Sequence, residues 1–170
     1  MKRSGRNLKQ RLYDLKHLPS YLRRARYFRG HGVHSPYVYN VVRQVFMQRE
    51  LLAEEHPLHD MLLEYGVPRR RAVQLDNLVV HCDYKSWAVD SLARVDLIVA
   101  TLATTYDHLE EYARYAREVG ATLCIMAPYN NANRWGVVKA LIEAHPSTTV
   151  DNRGYLLMFN NHLPRQRYRL

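Results

Sequence analysis

Val95-Asp96-Leu97-Ile98-Val99-Ala100-Thr101, then Ala121-Thr122-Leu123-Cys124-Ile125-Met126-Ala127, then Tyr155-Leu156-Leu157-Met158-Phe159: these three apolar runs decide the fold. An amphipathic helical pattern from Tyr106 to Val119 separates the first two, and another from Ala132 to Ala144 separates the second from the third. Strand, helix, strand, helix, strand is the order of a doubly wound α/β domain. The first two runs are apolar almost throughout, as expected of strands covered by helices on both faces. Thr148-Thr149-Val150, the turn Asp151-Asn152-Arg153-Gly154 and the last run read as a terminal antiparallel hairpin. The expected architecture is therefore α/β and Rossmann-like: a mainly parallel sheet with helices on both faces and a C-terminal antiparallel hairpin, preceded by N-terminal helices.

Working outward, the helix before the second strand is well specified. Thr104 or Thr105 can cap it, Asp107 lies in its first turn, and Gly120 supplies a left-handed exit. The following helix turns Trp135, Val138, Leu141 and Ile142 inward and stops at His145-Pro146. Upstream, Leu78-Val79-Val80-His81-Cys82 is short, apolar and β-branched, and reads as the first strand of the sheet, with a short helix or turn at Trp87 to Leu92. Leu58 to Tyr65 reads as a short helix closed by Gly66, and Arg69-Arg70-Arg71 as a small positive cluster, a solvated turn in preference to a phosphate clamp. Ser35 as cap with Pro36 at the first helical position starts a helix through Val38, Val41, Val42 and Val45 that reaches Leu51 or Leu52. This divides the chain into an N-terminal helical region, residues 1–52, and a Rossmann-like domain, residues 53–170.

The 170 residues carry a net charge of +9, and its distribution is uneven. Residues 1–30 hold ten basic side chains against the single acid Asp14, whereas the remaining 140 residues hold 15 of each sign. Leu8, Leu12, Leu15 and Leu18 draw an apolar stripe on a short basic helix ended by Pro19. Such an arm suits contact with nucleic acid or an anionic membrane surface, or packing of its leucines on the core. No apolar run reaches the length of a membrane span, and the basic N-terminus is not followed by the apolar stretch of a secretory signal. Cys82 and Cys124 lie singly inside apolar runs, as reduced thiols in a cytoplasmic protein do. His31 with His34, and His56 with His59, share a spacing of three, but neither pair has the further ligands of a metal centre at suitable spacing, so no metal is expected.

A parallel α/β sheet invites a nucleotide or cofactor, which needs a glycine-rich loop after a strand so that the ligand can approach the backbone. The seven glycines provide none: Gly30 and Gly32 are the closest pair and follow a helical pattern. Serine is nowhere set as in a nucleophile elbow. The candidate ligand contacts are the residues at expected strand ends: Asp83, Thr101, and Tyr129, Asn130 and Asn131. The last three serve equally as a turn and a helix cap. No residue is assigned a catalytic role.

Gly30-His31-Gly32-Val33-His34-Ser35-Pro36-Tyr37-Val38-Tyr39 resembles the R-x-G-x-H-S-P-F-x-F helix entry of a group of class I S-adenosylmethionine-dependent methyltransferase-like proteins. Asp96-Leu97-Ile98-Val99, Trp135 with Val138 to Ile142, His145-Pro146, and the ending Gly154 to Phe159 with Gln166 to Leu170 are similar to the same group. The family's cofactor module, a strand with an E-x-G-x-x-x-G-like loop and a ribose-binding acid on the next strand, has no counterpart between Leu52 and Val95. Acids that the family carries after its later strands are replaced by Ala100-Thr101 and Ala127-Pro128. The resemblance therefore implies a shortened, divergent methyltransferase-like domain, with no cofactor-binding or catalytic residue to carry over.

The expected function is a binding or interaction domain that uses no S-adenosylmethionine and acts through a protein partner, a homodimer included. A methyltransferase with an altered cofactor site is the alternative, and it predicts a ligand-sized crevice near Asp83, Thr101 and Tyr129 to Asn131. Nucleic-acid contact through residues 1–30 is the second alternative.

Overall fold

The computed structural model of the chain describes residues 33–161 and 163–170. The basic arm and the glycine-histidine entry up to Gly32 lie outside the described residues. Helix α1 (Pro36–Val41) opens the described chain, with the Ser35 hydroxyl accepting from the Val38 amide at 3.4 Å. A π-helical turn, Val42–Phe46, continues it. Helices α2 (Pro57–Glu64) and α3 (Arg69–His81) follow, then strands β1 (Trp87–Val89) and β2 (Leu97–Ala100). A 3-10 turn (Tyr106–His108) leads into α4 (Leu109–Val119), followed by β3 (Thr122–Met126), α5 (Ala132–Ala144), β4 (Thr149–Asp151), β5 (Tyr155–Met158) and β6 (Arg167–Arg169).

The six strands form one mixed sheet in the order β1-β2-β3-β5-β4-β6. β1, β2 and β3 run parallel, with Val99 level with both Val89 and Cys124. β5 inserts antiparallel between β3 and β4, pairing Ile125 with Leu156 and Val150 with Leu157. β6 is parallel to β4 at the outer edge. The fold is thus α/β with a mixed sheet, three parallel pairings standing beside two antiparallel ones.

Alternation along the strands makes two cores, because successive side chains point to opposite faces. Leu97, Val99, Cys124, Met126, Tyr155 and Leu157 face α1, α2 and α3 in one apolar cluster with Val38, Val45, Leu58, Leu62, Leu75 and Leu78. Ile98, Ala100, Leu123, Ile125, Leu156 and Met158 face the other way, onto Leu109, Tyr112 and Ala116 of α4 and Val138 and Ile142 of α5. Helices on both faces follow from that alternation. Val38, Val41, Val42, Val45 and Phe46 belong to the first of these clusters, with Val33 and Tyr37 packed against it, and share it with Tyr155 and Leu157 of β5.

Four upstream expectations are corrected. Leu78 to Cys82 is not a strand: it is the last turn of α3 and its cap, with the Cys82 amide bonded to the Leu78 carbonyl at 2.9 Å. Leu75 and Leu78 bury one turn apart while Val80 is exposed, a helical pattern that a five-residue apolar window cannot separate from a strand. The first strand is instead Trp87–Val89, where a helix or turn was expected, and Arg69 to Arg71 form the first turn of α3 rather than a solvated turn. Nor does the helix from Pro36 reach Leu51. Buried side chains of α3 take the backbone beyond it: Gln74 Nε2 donates to the Phe46 carbonyl at 2.7 Å, and Asn77 accepts from the Leu52 amide and donates to the Glu50 carbonyl, both at 2.9 Å.

Downstream, α4 departs from expectation at its start: it begins at Leu109 after the 3-10 turn and has no side-chain cap, since the Thr104 hydroxyl donates to Asp90 and the Thr105 hydroxyl pairs with His108 Nδ1. Helix α5 has the expected bounds, and Gly120 ends α4 at φ 76°. A Cβ at Gly120 would meet no neighbour within 4 Å, so Gly120→Ala isolates the cost of the left-handed backbone. The substitution should destabilise the fold by about 1 kcal/mol, read as a shift in urea midpoint at unchanged slope.

His145, following α5, is buried, with Nε2 2.9 Å from the Phe159 carbonyl and so carrying the proton it donates. Burial lowers its pKa below the ordinary 6.5, and Arg117 and Arg165 push in the same direction, against the Phe159 hydrogen bond. A base whose folded pKa is depressed contributes stability that is present above the unfolded value and lost as pH falls below it. The unfolding free energy should therefore decline as pH drops below 6.5 toward the native pKa, and His145→Gln should flatten that part of the profile.

Candidate functional site

The carboxyl ends of β1, β2, β3 and β4 lie along one edge of the sheet, and the chain is most unusual there. Of the four non-glycine residues with positive φ among the described residues, three stand at this edge: Asp90 after β1, Ala127 after β3 and Arg153 in the β4–β5 turn. An alanine in the left-handed region costs roughly 1 kcal/mol. Hydrogen bonds on both sides hold it there: the Ala127 amide donates to the Gly154 carbonyl at 2.8 Å, and its carbonyl accepts from the Asn130 amide at 3.0 Å.

Arg134, from the first turn of α5, fills the space between the ends of β2 and β3. Only 2% of its surface is exposed. Its guanidinium donates to the carbonyls of Met126 and Thr101 at 3.0 Å and of Thr104 at 2.8 Å. Burial pulls the Arg134 pKa down, and the Asp90 carboxylate opposes that shift. Asp90 in turn accepts from the Thr101 amide at 2.7 Å and from the hydroxyls of Thr101 and Thr104. An acid at the end of the first strand therefore exists, but it is Asp90 and not Asp83. Asp83 follows α3 on the amino side of β1, is exposed and pairs with Lys85. It lies at the opposite edge of the sheet from Thr101, because the strand it was expected to end is a helix.

Beside the Arg134 plug the edge opens into a cleft of about 490 Å³. Thr101 and Leu102 line it from the end of β2, and Met126, Ala127, Tyr129 and Asn130 from the end of β3. Arg153 and Gly154 of the hairpin turn and the α2–α3 connection with Arg71 complete it. Three of the five candidate residues, Thr101, Tyr129 and Asn130, thus meet in one cleft. Asn131 does not line it: its side chain caps α5, accepting from the Arg134 amide at 2.8 Å. Tyr129 packs on Trp135 with ring centres 4.5 Å apart and donates its hydroxyl to Asp151.

Arg71 forms the wall opposite β3. Its Nη1 donates to Gln74 Oε1 at 2.8 Å, and its guanidinium carbon lies 5.6 Å from the centre of the Tyr155 ring. Gln74 Oε1 also accepts from the Tyr155 hydroxyl at 3.3 Å. Gly154 makes this packing possible, since a Cβ there would fall 2.8 Å from Arg71 Cζ. The role of that glycine is space, because the left-handed residue of the turn is Arg153. Sequence reasoning missed Arg71 and Arg153 as cleft residues. The one available signal was the basic cluster Arg69 to Arg71, and nothing local links it to a turn 80 residues away.

His56, His59 and Asp60 offer ligand atoms within 4.8 Å of one another. The two histidines share the Asp60 carboxylate, at 3.3 Å and 2.8 Å, so the three already form a hydrogen-bonded group at the start of α2. Among the described residues no helix is long and apolar enough to cross a membrane.

Replacing Arg134 by methionine would keep the apolar stem and leave the carbonyls of Thr101, Thr104 and Met126 without this donor. Arg134→Met should destabilise the protein by about 3 kcal/mol, measured by chemical denaturation. Loss of less than a third of that would show that water replaces the guanidinium freely. Compared with known protein families, with curated proteins and with solved structures, the chain finds no match.

Proposed function

We propose that this chain is a divergent methyltransferase-like domain that has no S-adenosylmethionine-dependent activity and works as a binding domain, using the carboxyl edge of its sheet. The observation that carries the reading is the buried Arg134 guanidinium, which occupies the ends of β2 and β3 with protein–protein hydrogen bonds. The remaining cleft fits the cofactor poorly. S-adenosylmethionine bears a sulfonium and an ammonium against one carboxylate, and is a net cation. Two of the lining residues are arginines, and none of the lining residues is a carboxylate that could receive the ammonium or the ribose hydroxyls. No histidine or cysteine lines the cleft either, so its described residues offer no ready general base or thiol nucleophile.

A methyltransferase with an altered cofactor site is the second reading, favoured by the cleft itself: it lies where ligands bind to open α/β sheets, and it contains Thr101, Tyr129 and Asn130. Nucleic-acid contact by the arm rests on the charge of residues 1–30 and requires affinity that falls steeply with salt.

Thermal-shift titration with S-adenosylmethionine and S-adenosylhomocysteine separates the first two readings. The expected result is an unchanged melting temperature at millimolar ligand. A saturable rise, as mass action demands of a ligand that binds the native state, would install the altered-cofactor reading in its place.

A further inference from the structure

We propose that the cleft at the carboxyl edge binds a small organic anion, with a carboxylate or phosphate group on the Arg71 guanidinium and an apolar body against Leu102 and Val67. This deepens the binding-domain reading, on which it rests for the place of the site.

Arg71 is half-buried, and no carboxylate pairs with it among the described residues. Its contacts are the neutral Gln74 amide and the face of Tyr155, which fix the plane of the guanidinium and use one of its five donors. A cation removed from water without a counter-ion is unfavourable, and here Arg70 and Arg153 repel it further. An anion in the cleft would reverse the sign of that local field. The amino end of α3 adds to it: the helix begins with Arg69, Arg70 and Arg71, and Pro68 before them lines the cleft. Cations at the positive end of a helix are misplaced for helix stability and well placed for an anionic ligand.

Shape points the same way. Gly154 leaves room for Arg71 against the hairpin turn, so the guanidinium is held at the wall rather than free in solvent. The volume lies within the roughly 300–1,000 Å³ typical of small-molecule sites. Leu102 is 53% exposed at the rim and Tyr65 49%, an apolar border that an inorganic ion would leave uncovered and an organic anion would cover. A planar, bidentate donor beside apolar surface matches a carboxylate or phosphate carried on an aromatic or aliphatic group.

The test is calorimetric titration of the full chain with phenyl phosphate, with phenylacetate and, as a neutral control, with benzyl alcohol. Saturable binding of at least one anion is expected, with none of the alcohol; which anion binds tells a phosphate ester from a carboxylic acid. Arg71→Gln should weaken that binding at least about tenfold. Leu102→Glu should weaken it too, by placing a carboxylate at an exposed rim position where folding is not at stake, and it decides the matter if the Arg71 variant does not fold. Failure of both anions to bind at millimolar concentration, equal binding of the alcohol, or anion binding that Leu102→Glu leaves unchanged would overturn the site. Binding of S-adenosylmethionine alongside an anion would remove the cofactor-free reading and leave this site standing. Anions that do not bind would remove this site and leave the cofactor result untouched.

Discussion

The carboxyl edge of this sheet depends on one buried cation. Parallel strands end in carbonyls that point past the last ladder bond, and where two strands part those carbonyls need donors. Arg134 meets those of Thr101 and Met126 and, in the loop after β2, that of Thr104, with a fork whose geometry no lysine could reproduce. A guanidinium so deeply buried is costly unless compensated. The compensation is layered: carbonyl oxygens at about 3 Å, then the Asp90 carboxylate, itself fixed by Thr101 and Thr104. Asn131 caps the helix that delivers Arg134, so the cap, the left-handed Ala127 and the plug form one mechanical unit.

Gln74 performs the matching task on the other face. Its amide nitrogen holds the Phe46 carbonyl, while its oxygen accepts from Arg71 and from the Tyr155 hydroxyl. One buried side chain therefore joins the end of the N-terminal helical segment, the start of α3 and the β5 strand. Neutral side chains suit this position, because an amide both donates and accepts without the desolvation penalty of a charge. The cleft wall that carries Arg71 is thereby tied to β5 through Gln74 and Tyr155. The two outer strands of the sheet are short, and β6 carries Arg167 and Arg169 outward, which blunts that edge against pairing with another strand.

How much of this was legible follows from how local each signal is. Helix α5 could be read to the residue, since Asn131 and His145-Pro146 are caps whose chemistry acts within one turn. Gly120 was legible for the same reason, and so was the β4–β5 hairpin. Leu78 to Cys82 was not, because the period that separates helix from strand needs a longer window, and Gln74, Asp76 and Asn77, polar yet buried, hid the start of the helix. Misplacing the first strand displaced the candidate acid from Asp90 to Asp83. β6 gave no signal at all: Arg167-Tyr168-Arg169 joins the sheet by backbone pairing with β4, and its outward side chains are polar. Among the candidates, Thr101, Tyr129 and Asn130 come together in the cleft because all three follow strand ends, which are local features. The arginines opposite them were missed because the packing of residue 71 on residue 154 is a long-range fact.

The charge of the cleft has its origin in how the interior acids are used. Beyond residue 30 the chain has as many acids as bases, so a basic cleft is a matter of placement and not of composition. Asp90 ties Thr101 and Thr104 to the end of β1. Asp96 accepts from the backbone of Lys85 and Ser86 at 2.7 and 3.0 Å, closing the entry to β1. Asp76 holds the His59 amide at 3.1 Å, and Asp151 takes the Tyr129 hydroxyl and the Arg153 amide. Each of these carboxylates works as a strut between backbone segments, a role that needs an acceptor close to amide donors. None is left facing the cleft, and Arg71 is held there by neutral groups alone. A fold that spends these acids on its own loop ends leaves no carboxylate among the residues that line the cleft, although two of those residues are arginines.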